Sequence, residues 1–407
     1  MLPESHIQTQ SLKPLNLVIV LLFFGNTFFL PHGLSLNFFL APLFLYYIFQ
    51  SKRSIRMLIS FLAILIIFDT VHFLNGVHLS SFLKSNLLFV GAIISFIATY
   101  QYFKKNADQV AGLFKQINLY NTAFWLIAVA FLFIPFVGTI FWSRVSMGHQ
   151  FDAAPRLQLF SPEPSHYALL LSPLLIYYIL SFLISQEKKK HFLGLALISI
   201  PFLLSFSFGN FMVLTISILI ALIIFHRYLL LNKNNVRIFF FFLAGLSLAL
   251  LILFLLVPDN FIYKRISNVL NGVDSSANGR TFQSFGLAWH LAKTKSTFIG
   301  IGLGQIKEIA GLYYRDFFPY ITTIPNPVRI PNANAELLAT FGILGLCLKI
   351  GVTGLVFFYK KLYRNIFSTT LFVFMFTFQF MGSYLINFTE LFIWALIFAN
   401  PFQKFNK

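Results

Sequence analysis

Apolar runs of about 20 residues, the length that crosses a bilayer as a helix, recur along this chain with short polar connections between them. The pattern predicts an all-α polytopic membrane protein with about twelve transmembrane helices. They fall over 15–30, 34–49, 57–74, 82–103, 119–141, 165–185, 192–207, 211–230, 238–257, 333–358, 366–381 and 385–399. Two connections are longer than the rest, 142–164 and 258–332. Connections of the second length carry function or form a small domain of their own. The chain therefore divides into 1–257 (nine spans and the shorter loop), the large loop 258–332 with an amphipathic helix, and 333–407 (three spans).

Composition agrees with the pattern: 58% of residues are hydrophobic and 10% charged, against about 45–50% and about 25% in soluble domains. The formal charge of +18 does not imply nucleic acid, because the cations sit in short clusters between apolar runs. One set of connections holds Lys52, Arg53 and Arg56; Lys104, Lys105 and Lys115; Lys188, Lys189 and Lys190; Arg227, Lys233 and Arg237; and Lys360, Lys361 and Arg364. The opposite short connections are nearly uncharged. The positive-inside rule then places both termini in the cytoplasm and both long loops outside. The single cysteine, Cys347, excludes a disulfide framework. The polar first residues resemble no cleaved leader.

Candidate chemistry gathers in the long loops. In SPEPSHY, Ser161 or Glu163 is placed to cap the next helix with a proline at its first position. Arg156 precedes and His166 follows by three residues, on the same helical face as Glu163. That region offers an anion clamp and two groups able to move protons. In RTFQSFGLAWHLAK, a helical period puts Phe282, Phe285, Trp289 and Ala292 on one face and Arg280, Gln283 and His290 on the other. This is expected to be a helix lying on the membrane or the bundle. The run FIGIGLG reads as a tight turn rather than a phosphate loop. Arg329, Asn332, Asn334 and Glu336 are the last polar groups before a span, and Glu336 suits a helix N-terminus. Within spans, Asp69 with His72, and Lys349, are the ionisable candidates. No Asp-x-Asp or His/Cys cluster points to a metal, and no cofactor is expected.

The order of these features resembles the bacterial O-antigen polymerase and ligase superfamily of integral membrane proteins. Three stretches carry the resemblance: RLQLFSPEPSHYALLL, RTFQSFGLAWHLAKTKSTFIGIGLG and NANAELLATFGILGL. It implies a glycosyltransferase C-type membrane fold in a bacterial inner membrane. It also implies polymerisation of polyprenyl-pyrophosphate-linked repeat units (O-antigen or capsule) at the periplasmic face, with a chain-length regulator and a flippase as partners. Carried over, the pyrophosphate ligands are Arg156, Arg280 and Arg329. Glu163, His166 and His290 are the candidate catalytic groups, and Asn332 and Gln283 the substrate contacts. Ligases of the superfamily carry a His-Asn pair before the re-entry helix; aligned on Gly342, the His position is Pro331 here, which favours a polymerase. The Arg-x10-Gly pairing of some polymerases is absent. A flippase or transporter is the alternative from another class, although no repeat between halves is visible.

Overall fold

The computed structural model describes residues 39–143, 155–185, 187–226, 274–319 and 328–406, with short pieces at 19–20, 23–25, 29–30, 34–35, 237, 267–268, 271–272 and 324–325. The expected span 238–257, most of 15–30 and the start of the large loop lie outside the described residues.

The helices are α1 (Ala41–Phe49), α2 (Lys52–Leu74), α3 (Leu79–Lys105), α4 (Val110–Ala130), α5 (Pro135–Phe141), α6 (Pro164–Ile184), α7 (Lys188–Leu204) and α8 (Phe208–Ile224). They continue with α9 (Ser284–Lys295), α10 (Ile306–Phe317), α11 (Ala333–Tyr359), α12 (Ile366–Phe378) and α13 (Phe388–Ala399). Among the described residues, α2, α3, α6 and α11 are long and apolar enough to cross a membrane, and α8, α12 and α13 are shorter apolar helices. The chain is thus a largely helical protein with membrane-spanning character. α4 is as long as α6, but Lys115, Gln116, Asn118 and Asn121 interrupt its apolar run.

Capping side chains set several starts. Ser51 Oγ accepts from Ser54 N at the head of α2, Asn365 from Ser368 N at α12, and Asn387 from Thr389 N and Glu390 N at α13. Pro164 occupies the first turn of α6, where its missing N–H costs nothing.

The bundle is built around α6, which α7, α8, α12 and α13 enclose, while α3 packs along α13. Its core joins Leu169, Leu171, Leu174 and Ile176 of α6 with Phe367, Leu371 and Phe374 of α12 and Phe392, Ile393 and Leu396 of α13. A second core lies under the loop, where Leu287, Leu291, Ile306, Ala310 and Tyr314 pack on Ala335, Leu338 and Ala339. Basic residues mark one end of the bundle: Lys360 donates to Tyr100 Oη and the Phe398 carbonyl, and Lys404 to Tyr177 Oη and Ser181 Oγ.

α11 is not the straight span its hydropathy predicts. In a straight helix, residues fifteen apart lie about 22 Å apart along the axis, yet Lys349 Nζ donates to Asn334 Oδ1 at 3.0 Å. The chain turns at Gly342 (φ 66, ψ −166), a backbone conformation open in practice to glycine alone. Two helical bonds are broken there, and the segment from Thr297 to Gly302 replaces both. Ile343 N donates to Thr297 O and Leu344 N to Phe298 O, each at 3.0 Å. The freed carbonyls of Ala339 and Thr340 accept from Ile301 N (2.9 Å) and Gly302 N (3.0 Å). These four backbone groups are therefore paired despite the turn, as a buried position demands. A Cβ on Gly300 would fall 2.5 Å from the Thr340 backbone, so FIGIGLG is the plug of a broken helix. His72 Nε2 pairs with the Ile299 carbonyl at 3.0 Å and ties this plug to α2, which gives His72 a structural task.

Candidate functional site

SPEPSHY forms the turn into α6. Glu163 holds the N-cap position with extended backbone (φ −142, ψ 147), but its side chain does not cap. Its carbonyl instead accepts from His166 N and Tyr167 N. The carboxylate is left to accept from Ser165 Oγ at 2.9 Å and to face Arg280 Nη2 at 3.6 Å. Neither residue is fully buried: 46% of the Glu163 side chain and 34% of the Arg280 side chain are exposed. Arg280 sits in a single π turn, Gly279–Gln283, leading into α9, a distortion common where a side chain is re-aimed. Its own carbonyl is held by Asn332 Nδ2 at 2.7 Å.

Arg329 comes from the segment before α11 and reaches Glu336 Oε1 at 3.3 Å. Its guanidinium lies 4.1 Å from the Tyr384 ring centroid, a cation–π arrangement. His166 also lies beside that tyrosine, ring centroids 5.9 Å apart. Glu336 also accepts from Leu385 N at 2.6 Å. Three distant segments thus converge around Tyr384: the turn into α6, the π turn before α9, and the paired starts of α11 and α13. Arg156 borders the group. It lies in a two-residue strand paired with Trp142–Ser143 and donates to the carbonyls of Ser205 (3.1 Å) and Phe206 (3.2 Å).

Positive charge prevails around this cluster. Burial pushes the Glu163 carboxyl up, but His166, Arg280, the Ser165 hydroxyl and Arg156 together outweigh it and hold the group below the ordinary carboxylate value. Partial burial, with Arg329 nearby, pushes the Lys307 ammonium below its ordinary value. Burial first, and the Glu163 charge second, push the Tyr384 phenol up. Arg156, Arg280, Arg329 and Lys307 face two carboxylates, Glu163 and Glu336, an excess of positive charge. Among the described residues, no three His, Cys, Asp or Glu side chains gather closely enough to hold a metal ion.

Beneath this layer Lys349 pins the turn. Besides Asn334 it faces Glu390 Oε1 at 3.9 Å, and Glu390 Oε2 accepts from Ser383 Oγ at 2.7 Å. Asn334 adjoins the residues around Glu336, and Ser383 adjoins Tyr384. The lysine therefore joins the two segments that carry the upper cluster.

Several expected residues take other places. Asn332 is fully buried: Nδ2 bridges the Arg280 and Phe380 carbonyls and Oδ1 caps α11 through Ala335 N. With all three groups used, it positions Arg280 rather than contacting a substrate. His290 does not join the cluster. Ten residues beyond Arg280, about 15 Å at helical rise, it packs on Tyr313 (4.4 Å between centroids) and Phe317. Gln283 stays near Arg280 in sequence, with Oε1 buried and unpartnered. The expected apolar face is divided: Ala292 is buried and Phe285 packs on the second core, while Phe282 and Trp289 are exposed, and α9 also buries Ser284, Leu287, Ala288 and Leu291 on the α11 side. Tyr384, Ser383 and Glu390 are further members of the site. The motif NFTE, an N-cap followed three residues later by Glu, was the available signal.

No family model and no curated protein matches the chain.

Proposed function

We propose that this chain is a glycosyltransferase of the inner bacterial membrane that polymerises oligosaccharide units carried on polyprenyl pyrophosphate. The observation that carries the reading is the convergence of Glu163, His166, Arg280 and Arg329 on Tyr384 at the end of the bundle away from Lys360 and Lys404. In this reading the hydroxyl oxygen of one unit attacks the anomeric carbon of the other. The bond from that carbon to the pyrophosphate oxygen breaks, and its electron pair leaves with the carrier. Arg280 and Arg329 hold the developing charge, with Arg156 and Lys307 at the margin. Planar guanidinium donors suit a pyrophosphate. The hydroxyl proton passes to His166. Glu163, held ionised by its cationic neighbours, is a poor base and serves to orient Arg280 and the acceptor. A good leaving group lets positioning and charge stabilisation carry much of the barrier.

The test is complementation of a deletion strain. Arg280→Ala and Arg329→Ala are expected to insert normally while surface polysaccharide falls to single repeat units, and Arg280→Lys is expected not to restore long chains. Normal chain length in both alanine variants would remove the reading.

One observation favours a second reading, a flippase. α11 is broken at Gly342 and carries the Lys349–Glu390 pair below the turn, and transporters place polar groups at discontinuous helices. Lipid-linked units trapped on the cytoplasmic face of the deletion strain would select it.

A further inference from the structure

We propose that the groove between α2 and α3 binds an anionic phospholipid, its phosphate against Arg53 and Arg56 and an acyl chain along the groove floor. The proposal is independent of the reading above, since it concerns the opposite end of the bundle.

A cavity of about 410 Å³ opens between these helices, lined by Arg53, Arg56, Met57, Ser60, Phe61, Ile93, Phe96 and Ile97. The two arginines stand three residues apart, hence on one helical face, and both are exposed. Among the described residues, neither has a carboxylate partner within ion-pair distance. From Arg53 to Phe61 the wall runs eight residues, about 12 Å, and past Arg56 it is apolar except for Ser60. Ser54 Oγ donates to Gln101 Oε1 at 2.6 Å and closes the helices behind the groove.

A third cation backs the mouth. Lys360 donates to Tyr100 Oη and the Phe398 carbonyl, and burial, then Arg53, lower its pKa to about 8. Among the described residues no carboxylate pairs with these three cations, a local excess of positive charge that an anion relieves. An anion alone would leave the apolar wall open, whereas an anionic lipid satisfies both parts. The groove faces the bilayer: Ile59, Ile64, Ile66 and Ile67 of α2 are exposed beside it. By the positive-inside rule this end lies in the cytoplasmic leaflet, where basic pockets between helices take lipid headgroups.

The test is thermal unfolding of the full chain in neutral detergent with added dioleoylphosphatidylglycerol or dioleoylphosphatidylcholine. Only the anionic lipid is expected to raise the midpoint, and to do so saturably. Arg53→Gln/Arg56→Gln should abolish the shift. Ser60→Trp, which fills the groove and leaves the arginines, should weaken the apparent affinity at least tenfold. Equal shifts by both lipids would overturn the proposal, a conclusion that needs no variant to fold. So would a shift retained in the double variant, or one reproduced by inorganic phosphate alone.

Discussion

α2 and α6 are nearly equal in mean hydropathy, 2.3 and 2.1 over their most apolar windows, yet 17% of one window is buried and 94% of the other. Hydropathy reports that both tolerate an apolar solvent; it does not say whether that solvent is lipid or protein. The finer difference lies in small and hydroxyl residues. α6 buries Ser165, Ser172 and Ser181, and Tyr167 Oη donates to Asn121 Oδ1 at 2.8 Å. Such groups need protein partners within a membrane. α2 shows isoleucines outward instead. α11 joins the two conditions in one segment: residues up to Gly342 are buried, while Leu344, Leu348, Val352 and Leu355 are exposed.

The contrast can be broken at the point where α11 changes environment. Gly342→Ala forces a side chain into a glycine-only conformation and against the Phe298–Ile299 backbone. A loss of about 3 kcal/mol or more is expected, read as collapse of monodisperse yield; an unchanged melting midpoint would refute the plugged turn. Next in size, Lys349→Met strips Glu390 of its cation and should cost about 3 kcal/mol. Adding Glu390→Gln should recover most of it, so a double variant no better than the single would mean the pair is not coupled. Within the helices, Leu171→Ala in α6 should cost about 2–5 kcal/mol and Ile66→Ala in α2 less than about 0.5 kcal/mol. Equal costs in detergent unfolding would erase the distinction between the two helices.

The smallest effect is electrostatic and lies at the mouth of α6. Glu163 has a folded pKa below its ordinary value, so its contribution is complete above that ordinary value and is lost as pH falls through the folded one. The stability difference between wild type and Glu163→Gln should be flat from pH 8 to about 5 and vanish below the usual carboxylate range. Solvent screens this half-exposed pair, so the plateau should stay under about 1 kcal/mol. A difference that instead titrates near pH 6–7 would return Glu163 to the role of base.

The candidate site was partly legible. Arg280 and Glu163 stand out separately in the sequence, as a basic residue on a loop helix and a carboxylate between prolines, but their 3.6 Å approach joins residues 117 positions apart. Helical projection groups His290 with Arg280 on one face. Projection ignores the distance along the axis, and that distance separates them. Asn332 looked like a ligand because it was polar at a membrane entrance; being a good cap, it was spent on backbone.

By itself the sequence determined the helical, membrane-spanning character, several helix starts, the basic end of the bundle and the identity of the charged groups. These follow from local forces, namely the cost of burying charge, the need to pair backbone groups, and capping. The tertiary structure alone decided which apolar helix faces protein, that Gly342 turns a helix which the FIGIGLG segment then completes, and that Tyr384 meets both His166 and Arg329. Each of those rests on contacts between segments far apart in the chain. Local composition cannot specify them, because lipid and protein interiors are equally good apolar solvents for the same residues.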